Sequence, residues 1–222
     1  QTIIAVSGYT ARMVINRYDI LPDKIHIIHN AHSFEPQETH QRRRIFKGPL
    51  ILFLGRVTLQ KGPDYFLEVA RRVLKAHPEA RFVMAGVGDM FKKVLHASAA
   101  SRLGPRFLFT EFLSRRQVED LLEATDIFIM PSVSEPFGIV PLEAMARGAV
   151  AIISKQSGVA EVLHNAFKVD FWDIDQMAEV VVGLIEDKDR RQALALAGQE
   201  EVLRLKWDQA AEKIIDVYRG LS

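Results

Sequence analysis

Short apolar runs alternate along the chain with segments whose apolar residues recur every three or four positions. The runs are bounded by turn-forming residues, which is typical of buried strands. The predicted strands are Ile3–Val6, Ile25–Ile28, Leu50–Leu54, Phe82–Ala85, Phe107–Phe109, Ile127–Met130 and Val150–Ile153. The predicted helices are Tyr9–Tyr18, Pro63–Ala76, Met90–Ala100, Arg116–Ala124, Val140–Arg147 and two or three more between Ile174 and Leu221. This alternation predicts an α/β fold with a doubly wound parallel sheet.

The same pattern divides the chain into four parts. Residues 1–32 form a strand–helix–strand unit, and residues 33–48 form a polar linker. Arginines 42 to 44 in that linker could bind phosphate, but a solvated linker is the better interpretation of such a charge run. Residues 49–206 form the main Rossmann-like domain, and residues 207–222 form a final helix. Because the chain opens directly on a strand, we expect residue 1 to be a cut inside a longer protein.

Composition excludes several classes of function. The chain has 222 residues, of which 48% are hydrophobic, and its net charge is +1. Such a balance gives no field that would attract nucleic acid. There is no cysteine, which excludes disulfides and favours a cytoplasmic location. No apolar run reaches the roughly 18 residues that a membrane span needs, and no signal peptide is visible.

The loop after the third predicted strand carries two cations at the start of a helix. It reads Gly55-Arg56-Val57-Thr58-Leu59-Gln60-Lys61-Gly62. A glycine at a strand end permits close backbone approach, and a helix N-terminus favours an anion. The spacing of Gly and Lys is not that of a Walker A loop. From this loop alone, phosphate binding and two solvated surface cations are both open.

The next such loop, Gly86-Val87-Gly88, resembles the start of a dinucleotide fingerprint. Phe91 stands where the third glycine should be, so the loop does not support a nicotinamide cofactor. We expect these glycines only to make the turn.

The loop after Ile127–Met130 carries the strongest signal. It contains Glu135-Pro136-Phe137-Gly138, and a helix begins near Ile139 or Val140. Glu143 follows on the first turn of that helix. A single carboxylate there could simply complement the helix dipole. A second carboxylate and a glycine turn at the ligand-binding edge of a parallel sheet predict a binding site instead.

These residues resemble a known family. Glu135 and Glu143, with seven residues between them, look like the E-x7-E motif of retaining GT-B glycosyltransferases, the broad glycosyl transferases group 1 family (GT4) related to glycogen and starch synthases. Gly55-Arg56 followed by Lys61-Gly62 is similar to that family's phosphate loop. Segment 157–161 is similar to the family's loop after the next strand, with Ser157 in place of a glycine. Segment 28–31 is similar to the family's interdomain Pro-Asn-Gly segment.

The resemblance implies a role for each matched residue. Arg56 and Lys61 would neutralise the donor diphosphate, and Glu135 would bind sugar hydroxyls at the reacting end, which makes these three the expected catalytic residues. Glu143 would bind the ribose hydroxyls. The remaining expected substrate-binding positions are Gly55, the nucleobase segment with Glu111 and Leu113, and the loop residues Phe137, Gly138, Ile139 and Val140.

The resemblance also implies the reaction and the partners. The chain would be the C-terminal, donor-binding domain of an enzyme that moves a hexosyl unit from a UDP-, ADP- or GDP-sugar to a carbohydrate or glycan acceptor. No Asp-x-Asp suits a metal-bound diphosphate, so neither a metal nor another cofactor is expected. Residues 1–32 would be the end of an N-terminal acceptor domain, toward which the helix of residues 207–222 packs. Without that domain the chain would transfer sugar poorly, and the domain could also contact a membrane surface.

Two alternatives stay open on the sequence alone. One is a nucleotide-binding regulatory or interaction module derived from such an enzyme, and the intact Arg56, Lys61, Glu135 and Glu143 argue against it. The other is a non-hydrolysing nucleotide-sugar epimerase, which would lack the continuous loop from Glu135 to Glu143.

Overall fold

A small β-α-β unit comes first in the computed structural model, which describes residues 2–32 and 46–221. Strand β1 (Ile3–Ala5) and strand β2 (Ile25–Ile27) pair in parallel around helix α1 (Gly8–Tyr18). Ser7 caps this helix, since its side chain accepts a hydrogen bond from the Thr10 amide. The start of helix α1 is therefore fixed by its own cap.

The main domain is built on a six-stranded parallel sheet with the order β5-β4-β3-β6-β7-β8. Its strands are β3 (Leu50–Leu54), β4 (Arg81–Ala85), β5 (Phe107–Thr110), β6 (Ile127–Met130), β7 (Val150–Ser154) and β8 (Phe167–Val169). The strand order reverses between β3 and β6, which is the switch point at which doubly wound sheets bind ligands. The predicted Rossmann-like fold is confirmed.

Helices cover both faces of this sheet. They are α2 (Pro63–Ala76), α3 (Phe91–Ala100), α4 (Arg115–Ala124), α5 (Val140–Ala146), α6 (Ile174–Glu186) and α7 (Lys188–Val202). Helix α8 (Trp207–Arg219) follows them in the sequence. Side chains of β3 alternate between the two faces: Ile51 and Phe53 pack with α2, α3 and α6, whereas Leu50 and Leu52 pack with α4 and α5. The core is thus two apolar layers separated by the sheet.

The observed elements differ from the predicted ones mainly at their ends. Helix α4 begins one residue earlier than predicted because Ser114 and Gln117 form a reciprocal capping box. Strand β8 was not predicted, since it has three residues and an exposed Lys168 at its centre. The tail is helical in three pieces, as expected. The predicted linker falls largely on residues 33–45, which lie outside the described residues.

None of the helices in these two described ranges is long and apolar enough to cross a membrane. In α8, Ala210 is buried and Trp207 is 41% exposed. The packing of residues 207–222 toward a further domain stays a prediction.

Candidate donor-binding site

The loops after β3 and β6 lie side by side at the switch point. The Val133 amide donates to the Gln60 carbonyl at 2.9 Å, and the Gln60 side chain donates to the Ser134 carbonyl at 2.9 Å. Gly62 has φ +66°, and a Cβ there would lie 2.2 Å from the Pro131 carbonyl oxygen. Only glycine permits this approach. The sequence therefore brings the two predicted loops into direct contact.

Lys61 and Glu135 form an ion pair across these loops. The Glu135 side chain is only 10% exposed and that of Lys61 is 22% exposed. A carboxylate that is this buried needs a charged partner or several hydrogen bonds, and Lys61 supplies the charge. Two of the three expected catalytic residues thus meet in one place.

Arg56 stands at the rim of this site. It follows Gly55 directly after β3, and its side chain is exposed. No residue within 2–32 or 46–221 forms a hydrogen bond or an ion pair with its guanidinium. The loop that carries Lys61 therefore offers a second, exposed cation.

The start of α5 offers free backbone donors. Gly138 has φ +96°, which turns the chain into the helix. The amides of Gly138, Ile139 and Val140 have no acceptor among the described residues, because the first amides of a helix lack intrahelical partners. Phe137 differs from these three: its side chain is 2% exposed and its carbonyl accepts from Val159 at 2.8 Å. Only the Phe137 amide is left for a ligand.

The loop after β7 holds the backbone of Glu135 by hydrogen bonds. The Glu135 amide donates to the Gln156 carbonyl at 3.0 Å, and the Gly158 amide donates to the Glu135 carbonyl at 3.0 Å. A Cβ at Gly158 would lie 2.3 Å from the Pro136 carbonyl oxygen. Ser157, which replaces the usual glycine, is buried and donates its hydroxyl to the Ser154 carbonyl at 2.6 Å. The substitution is accommodated inside the loop.

Side chains at the ends of β7 and β8 hold this loop in place. Asp170 accepts hydrogen bonds from Lys155 at 2.8 Å and from Gln156 at 2.9 Å, and these bonds lower its pKa. Since Gln156 also accepts the Glu135 amide through its carbonyl, Asp170 is linked indirectly to the position of Glu135.

Glu143 faces a histidine of the N-terminal unit. His32 Nε2 lies 3.0 Å from Glu143 Oε1, and both side chains are partly buried. His29 of the same segment likewise meets a carboxylate of the main domain, that of Glu161.

Sequence reasoning missed the contacts that dock the β-α-β unit. The Glu161 carboxylate accepts from the Gly8 amide at 2.8 Å and the Tyr9 amide at 2.6 Å, and it lies 2.9 Å from His29 Nε2. Burial alone would raise the pKa of Glu161, but these hydrogen bonds and the charge of His29 outweigh it and lower the pKa. A carboxylate at the N-terminus of α1 also complements the helix dipole.

Two hydroxyls of the unit reach the Glu135 loop. Ser7 Oγ donates to the Pro136 carbonyl at 2.6 Å, and the Tyr9 hydroxyl donates to Ser134 Oγ at 3.0 Å. The distant acceptor of Ser7 could not be inferred from the sequence around it. The β-α-β unit therefore holds both neighbours of Glu135.

The predicted nucleobase segment lies farther along the same edge. Glu111 follows β5 and is exposed, whereas Leu113 is partly buried against the core. Between them and the Lys61 loop lies the glycine turn after β4, in which a Cβ at Gly86 would come within 2.0 Å of the Gly55 carbonyl oxygen. These glycines, which were predicted only to make the turn, also permit close packing against the loop after β3. The structure shows no hydrogen bond between Glu111 and any described residue.

The site combines two cations, three free amides and two carboxylates at one sheet edge. Cations and helix-start amides can bind a diphosphate, and carboxylates can accept hydrogen bonds from hydroxyls. Among residues 2–32 and 46–221, no three His, Asp or Glu side chains form a group that could hold a metal ion.

Comparison with known proteins identifies the family of the chain. The sequence profile described as "Glycosyl transferases group 1" matches residues 36–201. The chain is 27% identical to alpha-maltose-1-phosphate synthase of Mycolicibacterium smegmatis, over 99% of the chain and 63% of that protein. It is 29% identical to D-inositol 3-phosphate glycosyltransferase of Xylanimonas cellulosilytica, over 97% of the chain and 56% of that protein.

The fold agrees with solved glycosyltransferases. The structure of Anabaena HepE in complex with UDP and glucose superposes with a TM-score of 0.84 at 19% identity, covering 99% of this chain and 63% of that one. The chain thus spans less than two thirds of the length of these relatives. The chain belongs to the glycosyl transferases group 1 family, whose solved members of similar structure have the GT-B fold.

Proposed function

We propose that this chain is the donor-binding part of a retaining glycosyltransferase that moves a hexosyl unit from a nucleoside-diphosphate sugar to a carbohydrate-type acceptor, without a metal ion. One observation carries the proposal. Arg56, Lys61, Glu135 and the free amides of residues 138–140 lie on or directly after the two loops that meet at the β3–β6 switch point. This combination suits a diphosphate that is joined to a sugar.

The chemistry assigns each group a task. Glycosyl transfer breaks the bond between the anomeric carbon and a phosphate oxygen, so negative charge accumulates on the departing diphosphate. Arg56, Lys61 and the amides at the start of α5 stabilise that charge, and preorganised donors of this kind cost no reorganisation as the charge develops. Glu135 binds sugar hydroxyls at the reacting end.

The nucleoside is held along the same edge. Glu143 accepts hydrogen bonds from the ribose hydroxyls, and the segment with Glu111 and Leu113 lies along the base. A relative's structure holds UDP and glucose, so UDP-glucose is the first donor to titrate. The part of the relatives that this chain does not span supplies the acceptor surface, so the chain alone binds donor but transfers sugar poorly.

The test is a calorimetric titration of the chain with UDP-glucose, ADP-glucose, GDP-mannose and the corresponding nucleoside diphosphates. Arg56→Ala should weaken the binding free energy of the donor by about 1.5–3 kcal/mol, the usual contribution of a charged hydrogen bond. Arg116→Ala, which removes an exposed arginine of α4, is the matched control. If no nucleotide binds, or if Arg56→Ala binds like the wild type, the donor-site proposal is wrong.

A further inference from the structure

Glu143 is held by a residue from outside the main domain. His32 Nε2 lies 3.0 Å from Glu143 Oε1, although the two residues are 111 positions apart. The side chains are 23% and 29% exposed, respectively, so the contact is shielded from solvent on most sides. A hydrogen bond in such a position holds its partners better than one on an open surface.

The backbone at Ala31 and His32 is anchored. Ala31 is buried, and the His32 amide donates to the Leu205 carbonyl at 3.4 Å. Three residues earlier in the same segment, His29 is hydrogen-bonded to the Glu161 carboxylate. The ring of His32 therefore approaches Glu143 from a fixed segment.

The other oxygen of Glu143 is open to a ligand. No residue in the described ranges donates a hydrogen bond to Glu143 Oε2. A glutamate side chain has three rotatable bonds, and ordering it on binding weakens the complex. A carboxylate whose Oε1 is already bonded presents Oε2 in one orientation.

We propose that His32 is a positioning residue, which orients the Glu143 carboxylate for the ribose hydroxyls of the donor nucleotide. This inference rests on the proposed function, because it takes Glu143 as the ribose ligand. It adds that ribose recognition depends on the segment joining β2 to the main domain, and not on the main domain alone.

His29 provides a matched control. It lies three residues before His32, and its Nε2 is 2.9 Å from a carboxylate oxygen of Glu161. Both histidines thus make the same kind of contact from the same segment. Glu161 caps α1 and has no place in the proposed donor site.

The experiment measures calorimetric binding of the best-bound diphosphate among UDP, ADP and GDP, of its 2′-deoxy and 3′-deoxy forms, and of pyrophosphate. The proteins are the wild type, Glu143→Gln, His32→Phe, His32→Gln and His29→Phe. Phe keeps the ring volume without the donor, and Gln keeps a donor at similar reach.

We expect His32→Phe to lower the affinity for the ribonucleotide roughly three- to tenfold, the loss that ordering one free side chain entails. Its preference for ribose over the deoxyribose forms should fall, while pyrophosphate binding stays unchanged. His32→Gln should restore the preference, and His29→Phe should retain it.

Two results would overturn the inference in distinguishable ways. A ribose preference that depends on Glu143 but is unchanged in His32→Phe contradicts the positioning role alone. Failure of the wild type to bind any of the three diphosphates contradicts the proposed function, and the positioning role with it.

Discussion

The Lys61 ammonium and the Glu135 carboxylate form an ion pair between loops that are 74 residues apart in the chain. Each is therefore the other's partner before any ligand arrives. A donor that places its phosphate beside Lys61 and its sugar beside Glu135 brings an anion to the lysine and hydroxyl donors to the carboxylate. The pair is thus a natural place to test the site.

Replacing Lys61 with Met should weaken nucleoside-diphosphate binding by about 1.5–3 kcal/mol, because a charged hydrogen-bond donor to phosphate is lost. It should also lower the free energy of unfolding, since the buried Glu135 is left without its cation. Calorimetry and urea unfolding measure the two effects.

Lys155→Met is the control for that variant. Lys155 also pairs with a carboxylate, that of Asp170, but its side chain is 50% exposed. Exposed pairs contribute little to stability, so both readouts should stay close to the wild type. If the two lysine variants behaved alike, the Lys61–Glu135 pair would have no special role.

Glu161→Gln should loosen the β-α-β unit. The amide cannot accept from Gly8, Tyr9 and His29 together, and we expect a loss of about 1–3 kcal/mol in the free energy of unfolding at pH 7. Hydrogen exchange of the Gly8 and Tyr9 amides should accelerate. Glu200→Gln, at an exposed position of α7, should change neither.

The same carboxyl makes this stabilisation depend on pH. The pKa of Glu161 is lowered in the folded protein from its ordinary value of 4.5, so its stabilising effect is present above that value and is lost as the pH falls through the lowered pKa. The stability difference between the wild type and Glu161→Gln should therefore shrink as the pH is lowered below 4.5. An unchanged difference in strong acid would show that Glu161 does not titrate this way.

Local patterns were sufficient where an element is defined by its own residues. The strands Leu50–Leu54 and Ile127–Met130 and the helix Pro63–Ala76 were predicted with the bounds that the structure has. Each is a long apolar run or stripe with a clear stop or start, such as the glycine that precedes Pro63. The placement of Lys61 and Glu135 on adjoining loops was also predicted, because carboxyl ends of parallel strands share one edge. Their ion pair was not predicted.

Contacts between distant polar residues could not be predicted in this way. His32 meets Glu143 and Gly8 meets Glu161 through the placement of the β-α-β unit, which no short sequence window records. Strand β8 was missed for a different reason. It lies at the sheet edge, and the charged, exposed Lys168 at its centre separates its two apolar residues.

Gly86→Ala should destabilise the loop beneath Arg56. Residue 86 has φ +132°, which a side chain disfavours, and the new Cβ would lie 2.0 Å from the Gly55 carbonyl oxygen. We expect a loss of more than about 1 kcal/mol in the free energy of unfolding and weaker nucleotide binding. Gly183→Ala is the control, because a Cβ there meets no atom within 4 Å. It should retain full stability and binding.

Phe66→Ala should be among the most destabilising changes in the core. Its ring is fully buried, with centroids 5.6, 5.5 and 5.7 Å from those of Phe53, Phe82 and Phe107. Removing a large aromatic from such a cluster costs about 3–5 kcal/mol. Urea unfolding measures this, with Leu196→Ala as the exposed comparison. A loss below about 1 kcal/mol would contradict this packing.

The docking of α1 also sets an order on synthesis. The Gly8 amide finds its acceptor on Glu161, 153 residues later in the chain, and Ser7 finds Pro136 129 residues later. At about 5–20 residues per second, the ribosome needs on the order of 10–30 s to make that stretch. Ser7 and Gly8 therefore lack these partners until Glu161 has been made, so the candidate site can be completed only after that point.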